Sequence, residues 1–120
     1  MIQKLKLLFL CNYGINRSPL AASLFDNSPY YEARSAGFYP LKIGRESGKP
    51  ITEELVNWAD QIFVMTDDQD KALKDRFDIG DKKIKVLDVP DVYNTNLAKD
   101  YEKLKNILIE KLKDYLKDKI

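Results

Sequence analysis

The chain has 120 residues, 44% apolar and 32% charged, enough for one core and a single domain over 1–120. Its net charge of +1 offers no strong field to nucleic acid or an anionic membrane, and no apolar run approaches the roughly 18 residues of a membrane span. One cysteine and no histidine exclude an internal disulfide, a Cys-His pair and a Ser-His-Asp triad, and leave no basis for a zinc site.

In chain order, Lys4 to Leu10 reads as a buried strand, too short in its apolar part for a signal-peptide core. Ser18 is expected to cap a helix with Pro19 at its first position, Leu20, Leu24 and Phe25 on its apolar face, and Asn27-Ser28-Pro29 as its stop. Tyr30 to Ala36 is a second strand, and Phe38 to Pro50, rich in glycine and proline, a loop. Thr52 caps a helix with Glu53 and Glu54 in its first turn and Trp58 expected in the core. Gln61 to Met65 is a third strand, Asp67 caps a helix to about Phe77, and Ile84 to Leu87 is a fourth strand. A last helix from about Leu97 carries the stripe Leu97, Tyr101, Leu104, Leu108, Leu112 and Tyr115. The i,i+3 pairs Asp100-Lys103, Glu102-Lys105, Glu110-Lys113 and Asp114-Lys117 solvate its outer face.

Strands alternating with amphipathic helices imply an α/β fold: a three-layer α/β/α domain on a four-stranded parallel sheet. Ligands bind such sheets beyond the carboxyl ends of the strands, where strand order reverses. Cys11 follows the first strand and the segment Asp88 to Tyr93 follows the fourth, so two distant loops meet at one edge.

A lone cysteine after a strand is most often a small buried hydrophobe. Here Arg17 follows six positions later and Ser18-Pro19 opens a helix. The amides of Asn12, Tyr13, Gly14, Ile15 and Asn16 can converge on an oxyanion, and a cation at a helix start asks for an anion beside it. The same field favours a thiolate at Cys11, Arg17 can hold two phosphate oxygens, and the Ser18 hydroxyl can also donate toward sulfur. Cleavage of a phosphate ester needs an acid for the leaving oxygen. Asp91 is the best placed, with Asp88 three residues earlier left open by spacing alone. Tyr93 can stack on an aryl phosphate, with Phe38, Tyr39 and Tyr13 as other walls.

Phe9-Leu10-Cys11 through Arg17-Ser18-Pro19 resembles the signature loop of low-molecular-weight protein tyrosine phosphatases. Ser35-Ala36-Gly37, Ala59-Asp60-Gln61-Ile62-Phe63-Val64-Met65 and Val89-Pro90-Asp91-Val92-Tyr93 are similar, in the same order, to that family's second strand, third strand and acid loop. The resemblance implies a phosphotyrosine phosphatase I-like fold, a nucleophile at Cys11, a phosphate-binding Arg17, a thiolate-stabilising Ser18 and an acid at Asp91. Three positions depart from the pattern: Gly14 stands where the family usually has Asn, Asn16 where it often has a second Cys, and Val92 where it has Pro. The short stretch between Gly37 and Trp58, together with Trp58-Ala59-Asp60 and Leu87-Asp88-Val89-Pro90-Asp91, resembles a compact group of predicted tyrosine phosphatases.

The expected function is a cysteine-dependent phosphomonoester hydrolase, a protein-tyrosine phosphatase working through phosphocysteine with no metal or cofactor. Its partners would be phosphorylated proteins or small aryl phosphates in the cytoplasm, with no nucleic acid and no membrane. The alternatives are arsenate reduction with an external thiol, since the chain has no second cysteine, and a phosphate- or phosphopeptide-binding module.

Overall fold

The computed structural model describes residues 3–39 and 50–116. The elements run β1 (Leu5–Cys11), α1 (Arg17–Ser23), β2 (Tyr31–Gly37), α2 (Glu53–Trp58), β3 (Gln61–Val64), α3 (Asp67–Arg76), β4 (Lys83–Val86), α4 (Ala98–Lys111) and α5 (Lys113–Leu116). The four strands form one parallel sheet in the order β2-β1-β3-β4. The chain leaves β1 for β2 on one side and returns to β3 on the other, so the topological switch lies between β1 and β3, at the end of the strand that carries Cys11.

Leu7, Leu8, Phe9 and Leu10 are fully buried because both faces of β1 are covered. Leu7 and Phe9 pack with Leu20 and Ala21 of α1 and Leu104 and Leu108 of α4. Leu8 and Leu10 pack with Val56 of α2 and Leu73 of α3 on the opposite face. This is the three-layer α/β/α arrangement that the alternating elements imply.

Several boundaries differ from expectation. Ser18 is not the cap of α1: Asn16 holds that position without a side-chain cap bond, and Ser18 is the second helical residue. Its hydroxyl donates instead to Ala36 O at 3.3 Å. Pro19 is then the third helical residue, still within the first turn, where a missing N–H costs no helical bond. Thr66 rather than Asp67 occupies the cap of α3, and Asp67, Asp68 and Asp70 lie in its first turn, favourably placed for the helix dipole. Thr52 caps α2 as expected, accepting from Leu55 N at 3.1 Å.

The last helix divides at Leu112 into α4 and α5, and residues 117–120, with Lys117 of one expected ion pair, lie outside the described residues. So do residues 40–49 of the expected loop. Leu97 is 56% exposed, because it precedes α4 in extended backbone and falls off the buried stripe. Of the expected pairs, Glu110-Lys113 closes to 3.1 Å, whereas Asp100 accepts from Asn94 N. Trp58 is half-buried rather than enclosed, with the Arg34 guanidinium 4.3 Å over its ring.

Phe9 joins the sheet to the helices on the α1–α4 face. Its ring stacks on Phe63 at 4.7 Å and on Phe25 at 5.7 Å. Phe9→Ala should destabilise the domain by about 3–5 kcal/mol through lost burial and a cavity. The check is a lower urea midpoint at unchanged m-value.

Candidate active site

The residues after Cys11 form a loop whose shape depends on two glycines. Gly14 has φ +69. A Cβ on it would lie 2.8 Å from Gly37 N and 2.9 Å from Ala36 C, and a Cβ on Gly37 would lie 2.3 Å from Tyr13 C. The loop therefore lies backbone against backbone on the end of β2, which no side chain at either position permits. Phe38 N donates to Cys11 O at 3.0 Å and Tyr39 N to Asn12 O at 2.8 Å, continuing this seam.

Cys11 is 3% exposed. Its Sγ accepts from Gly14 N at 3.2 Å and lies 3.1 Å from Ser18 Oγ. The Ser18 hydroxyl has one proton and two calls on it, Ala36 O and the sulfur. With a thiol, the S–H donates to Ser18 and the hydroxyl donates to Ala36. With a thiolate, the hydroxyl turns to sulfur. The side chain expected to cap a helix is thus a hydrogen-bond partner of the cysteine.

Arg17 is 1% exposed. Its Nη1 donates to Val89 O at 2.7 Å, its Nη2 is 3.7 Å from Asp91 Oδ2, and its buried Nε has no acceptor among the described residues. A buried cationic N–H without an acceptor is costly, and an oxyanion held by the loop would remove that cost. Asp91 Oδ2 also lies 3.4 Å from Asn12 Nδ2. Of the two carboxylates left open by spacing, Asp91 is the one beside Arg17. Asp88 is an exposed residue at φ 60.

The other expected site residues divide. Tyr13 and Tyr39 are 40% and 52% exposed, with ring centroids 6.3 Å apart at the loop's edge. Tyr93 is half-buried and packs on the α1–α4 core, and Phe38 is buried in the opposite one, so neither is a free wall. Ile15 and Asn16 line a cleft of about 210 Å³ with Pro19, Leu20, Thr95 and Tyr101, which Cys11 does not reach. Asn16 Oδ1 accepts from Thr95 Oγ1 at 2.7 Å and from Thr95 N at 3.4 Å. The position where a second cysteine often stands in the family it resembles here ties the loop to the segment after Asp91.

Sequence reasoning missed Thr95 and Gln69. Gln69 is 4% exposed and bonds Asn12. Its signal was present: a polar residue four positions before Leu73, in the buried phase of α3. Among the described residues, no cluster of three His, Cys, Asp or Glu could hold a metal ion, and no helix is long and apolar enough to cross a membrane.

No family model and no curated protein matches the sequence. Solved structures do match the fold. A mutant of YwlE from Bacillus subtilis superposes with a TM-score of 0.76 at 22% identity, covering 96% of this chain and 98% of that one. SP-PTP, a low molecular weight protein tyrosine phosphatase from Streptococcus pyogenes, gives 0.71 at 22%, covering 97% and 93%. YwlE arginine phosphatase from Geobacillus stearothermophilus gives 0.69 at 20%, covering 96% and 94%. The chain has the fold of the low-molecular-weight protein tyrosine phosphatases.

Gly14→Asn, which would bring in the residue usual in the family it resembles, should damage this loop. The new Cβ overlaps the Ala36–Gly37 backbone, at a cost of about 1–3 kcal/mol. Urea denaturation should show the loss, and protection of Cys11 from iodoacetate by phosphate should weaken with it.

Proposed function

We propose that the protein is a cysteine-dependent phosphomonoester hydrolase acting on aryl phosphates, phosphotyrosine in proteins among them, in the cytoplasm. The observation that carries this reading is the buried Arg17 guanidinium. Its Nε lacks an acceptor among the described residues, and Arg17 opens the helix that follows the loop holding the Cys11 sulfur, beside the Asp91 carboxyl. The exposed Tyr13 and Tyr39 rings at the loop's edge favour an aryl leaving group.

In the first step the Cys11 thiolate forms an S–P bond as the P–O bond to the aryl oxygen breaks, and Asp91 gives that oxygen its proton. Loop amides and Arg17 hold the equatorial oxygens as charge develops on them. In the second step water attacks phosphorus, Asp91 takes its proton, and the S–P bond breaks to release phosphate and restore the thiolate. A binding module would use Arg17 and have no need of Asp91. Arsenate reduction would need a thiol from outside the chain, which has one cysteine.

Wild-type protein should hydrolyse 4-nitrophenyl phosphate, and Cys11→Ser should not. Asp91→Asn should lower turnover of phenyl phosphate about 10²–10⁴-fold while phosphate still binds. Arg17→Lys should lose most activity, because an ammonium cannot present the planar fork. Phosphate binding without turnover in the wild-type protein would replace this reading with the binding module.

A further inference from the structure

The two oxygens of Asp91 have different surroundings. Oδ2 faces Asn12 Nδ2 at 3.4 Å and Arg17 Nη2 at 3.7 Å, both groups that only donate. Asn12 is not free to turn over, because its Oδ1 accepts from Gln69 Nε2 at 2.9 Å. Gln69 is not free either, because its Oε1 accepts from Met65 N at 2.7 Å, and a backbone N–H can only donate. One fixed donor at the end of β3 therefore sets the direction of every bond in the series. It runs from Met65 N–H to Gln69, from Gln69 to Asn12, and from Asn12 to Asp91.

We infer that Gln69 is a positioning residue for the reaction proposed above. Acting through Asn12, it holds Asp91 with Oδ2 as acceptor and leaves Oδ1 to carry the proton. That proton passes from Oδ1 to the aryl oxygen as the P–O bond breaks, and Oδ1 takes one from water as the S–P bond breaks. Gln69 touches neither substrate nor sulfur. Its burial and its place in the first turn of α3, which follows β3, make it a rigid base for an acid whose side chain is 44% exposed. The inference rests on the phosphatase reading for its role and on the hydrogen bonds for its existence.

Gln69→Glu keeps the acceptor for Met65 N–H but turns the donor facing Asn12 into an acceptor. Asn12 then turns its amide and presents Oδ1 to Asp91. On phenyl phosphate, kcat/KM should fall about tenfold or more, short of the loss from removing the acid itself. On 4-nitrophenyl phosphate, whose leaving group needs a proton less, the loss should be about threefold or less. Inhibition by inorganic phosphate should be little changed. In an Asp91→Asn background the same substitution should cost nothing further on phenyl phosphate, since the two residues act through one chain of bonds. Asn12→Ala cuts that chain from the other side and should give the same dependence on leaving group, even if Gln69→Glu fails to fold.

Equal losses on both substrates, or an undiminished loss in the Asp91→Asn background, overturn the relay. A second measurement needs no turnover. The side-chain amide resonances of Asn12 should move with Asp91→Asn and with Gln69→Glu, and their staying in place with either one overturns the relay. Failure of the wild-type protein to hydrolyse either ester would refute the phosphatase reading instead, and the Asn12 resonances would still decide the relay.

Discussion

A guanidinium cannot be taken from water without partners, and Arg17 is buried to 1% exposure. Its partners come from a segment more than seventy residues away: the Val89 carbonyl and the Asp91 carboxylate. That requirement reaches back into the sheet. β4 is an edge strand, separated from β1 by β3. The chain leaving β4 stays in register with the end of β3, Leu87 N donating to Val64 O and Val89 N to Met65 O, each at 2.8 Å. These two bonds carry Val89 past the strand's end and set its carbonyl against Arg17. The sheet order, the extension of β4 and the placing of Asp91 are thus one arrangement around one buried cation.

The residues that hold the two loops together are mostly neutral amides and hydroxyls. Asn12 meets Asp91, Asn16 meets Thr95, and Gln69 anchors Asn12 to the end of β3. An amide both donates and accepts, so a series of amides transmits direction as well as position. The chain has no histidine, and the groups with exchangeable protons that the structure gathers at the end of β1 include the Cys11 thiol, the Ser18 hydroxyl and the Asp91 carboxyl. The Ser18 hydroxyl lies between the Cys11 sulfur and the Ala36 carbonyl and so ties the end of β1 to the end of β2.

The layered architecture was legible because its cause is local. The run from Leu7 to Leu10 is apolar at every position, as a strand covered on both faces must be, and the helices carry their own periodicity. The caps of α1 and α3 were misplaced by one or two residues for a physical reason. Ser18 has the chemistry of a cap, but its hydroxyl is taken by a carbonyl eighteen residues away that only the parallel pairing of β1 and β2 brings near. Leu97 has the spacing of the buried stripe but lies before the helix begins. That Cys11, Arg17 and Ser18 lie together was legible because one short strand–loop–helix segment carries all three. The choice between Asp88 and Asp91 was open from spacing and turns on which carboxylate reaches Arg17. The bonds joining Gln69, Asn12 and Asp91 span 57 and 79 residues, separations at which no sequence period operates.

The contact between Gly14 and Gly37 bears on how this loop can change over evolutionary time. A side chain on either glycine would take space that the other's backbone fills, so their fates are joined although they lie 23 residues apart. A lineage that acquires a side chain at 14 must first, or at once, let the end of β2 retreat, which disturbs the seam through Phe38 and Tyr39 that carries the Cys11 carbonyl. A single substitution to asparagine at 14 therefore meets the Ala36–Gly37 backbone where it now stands, and only a paired change at the end of β2 would make room for it.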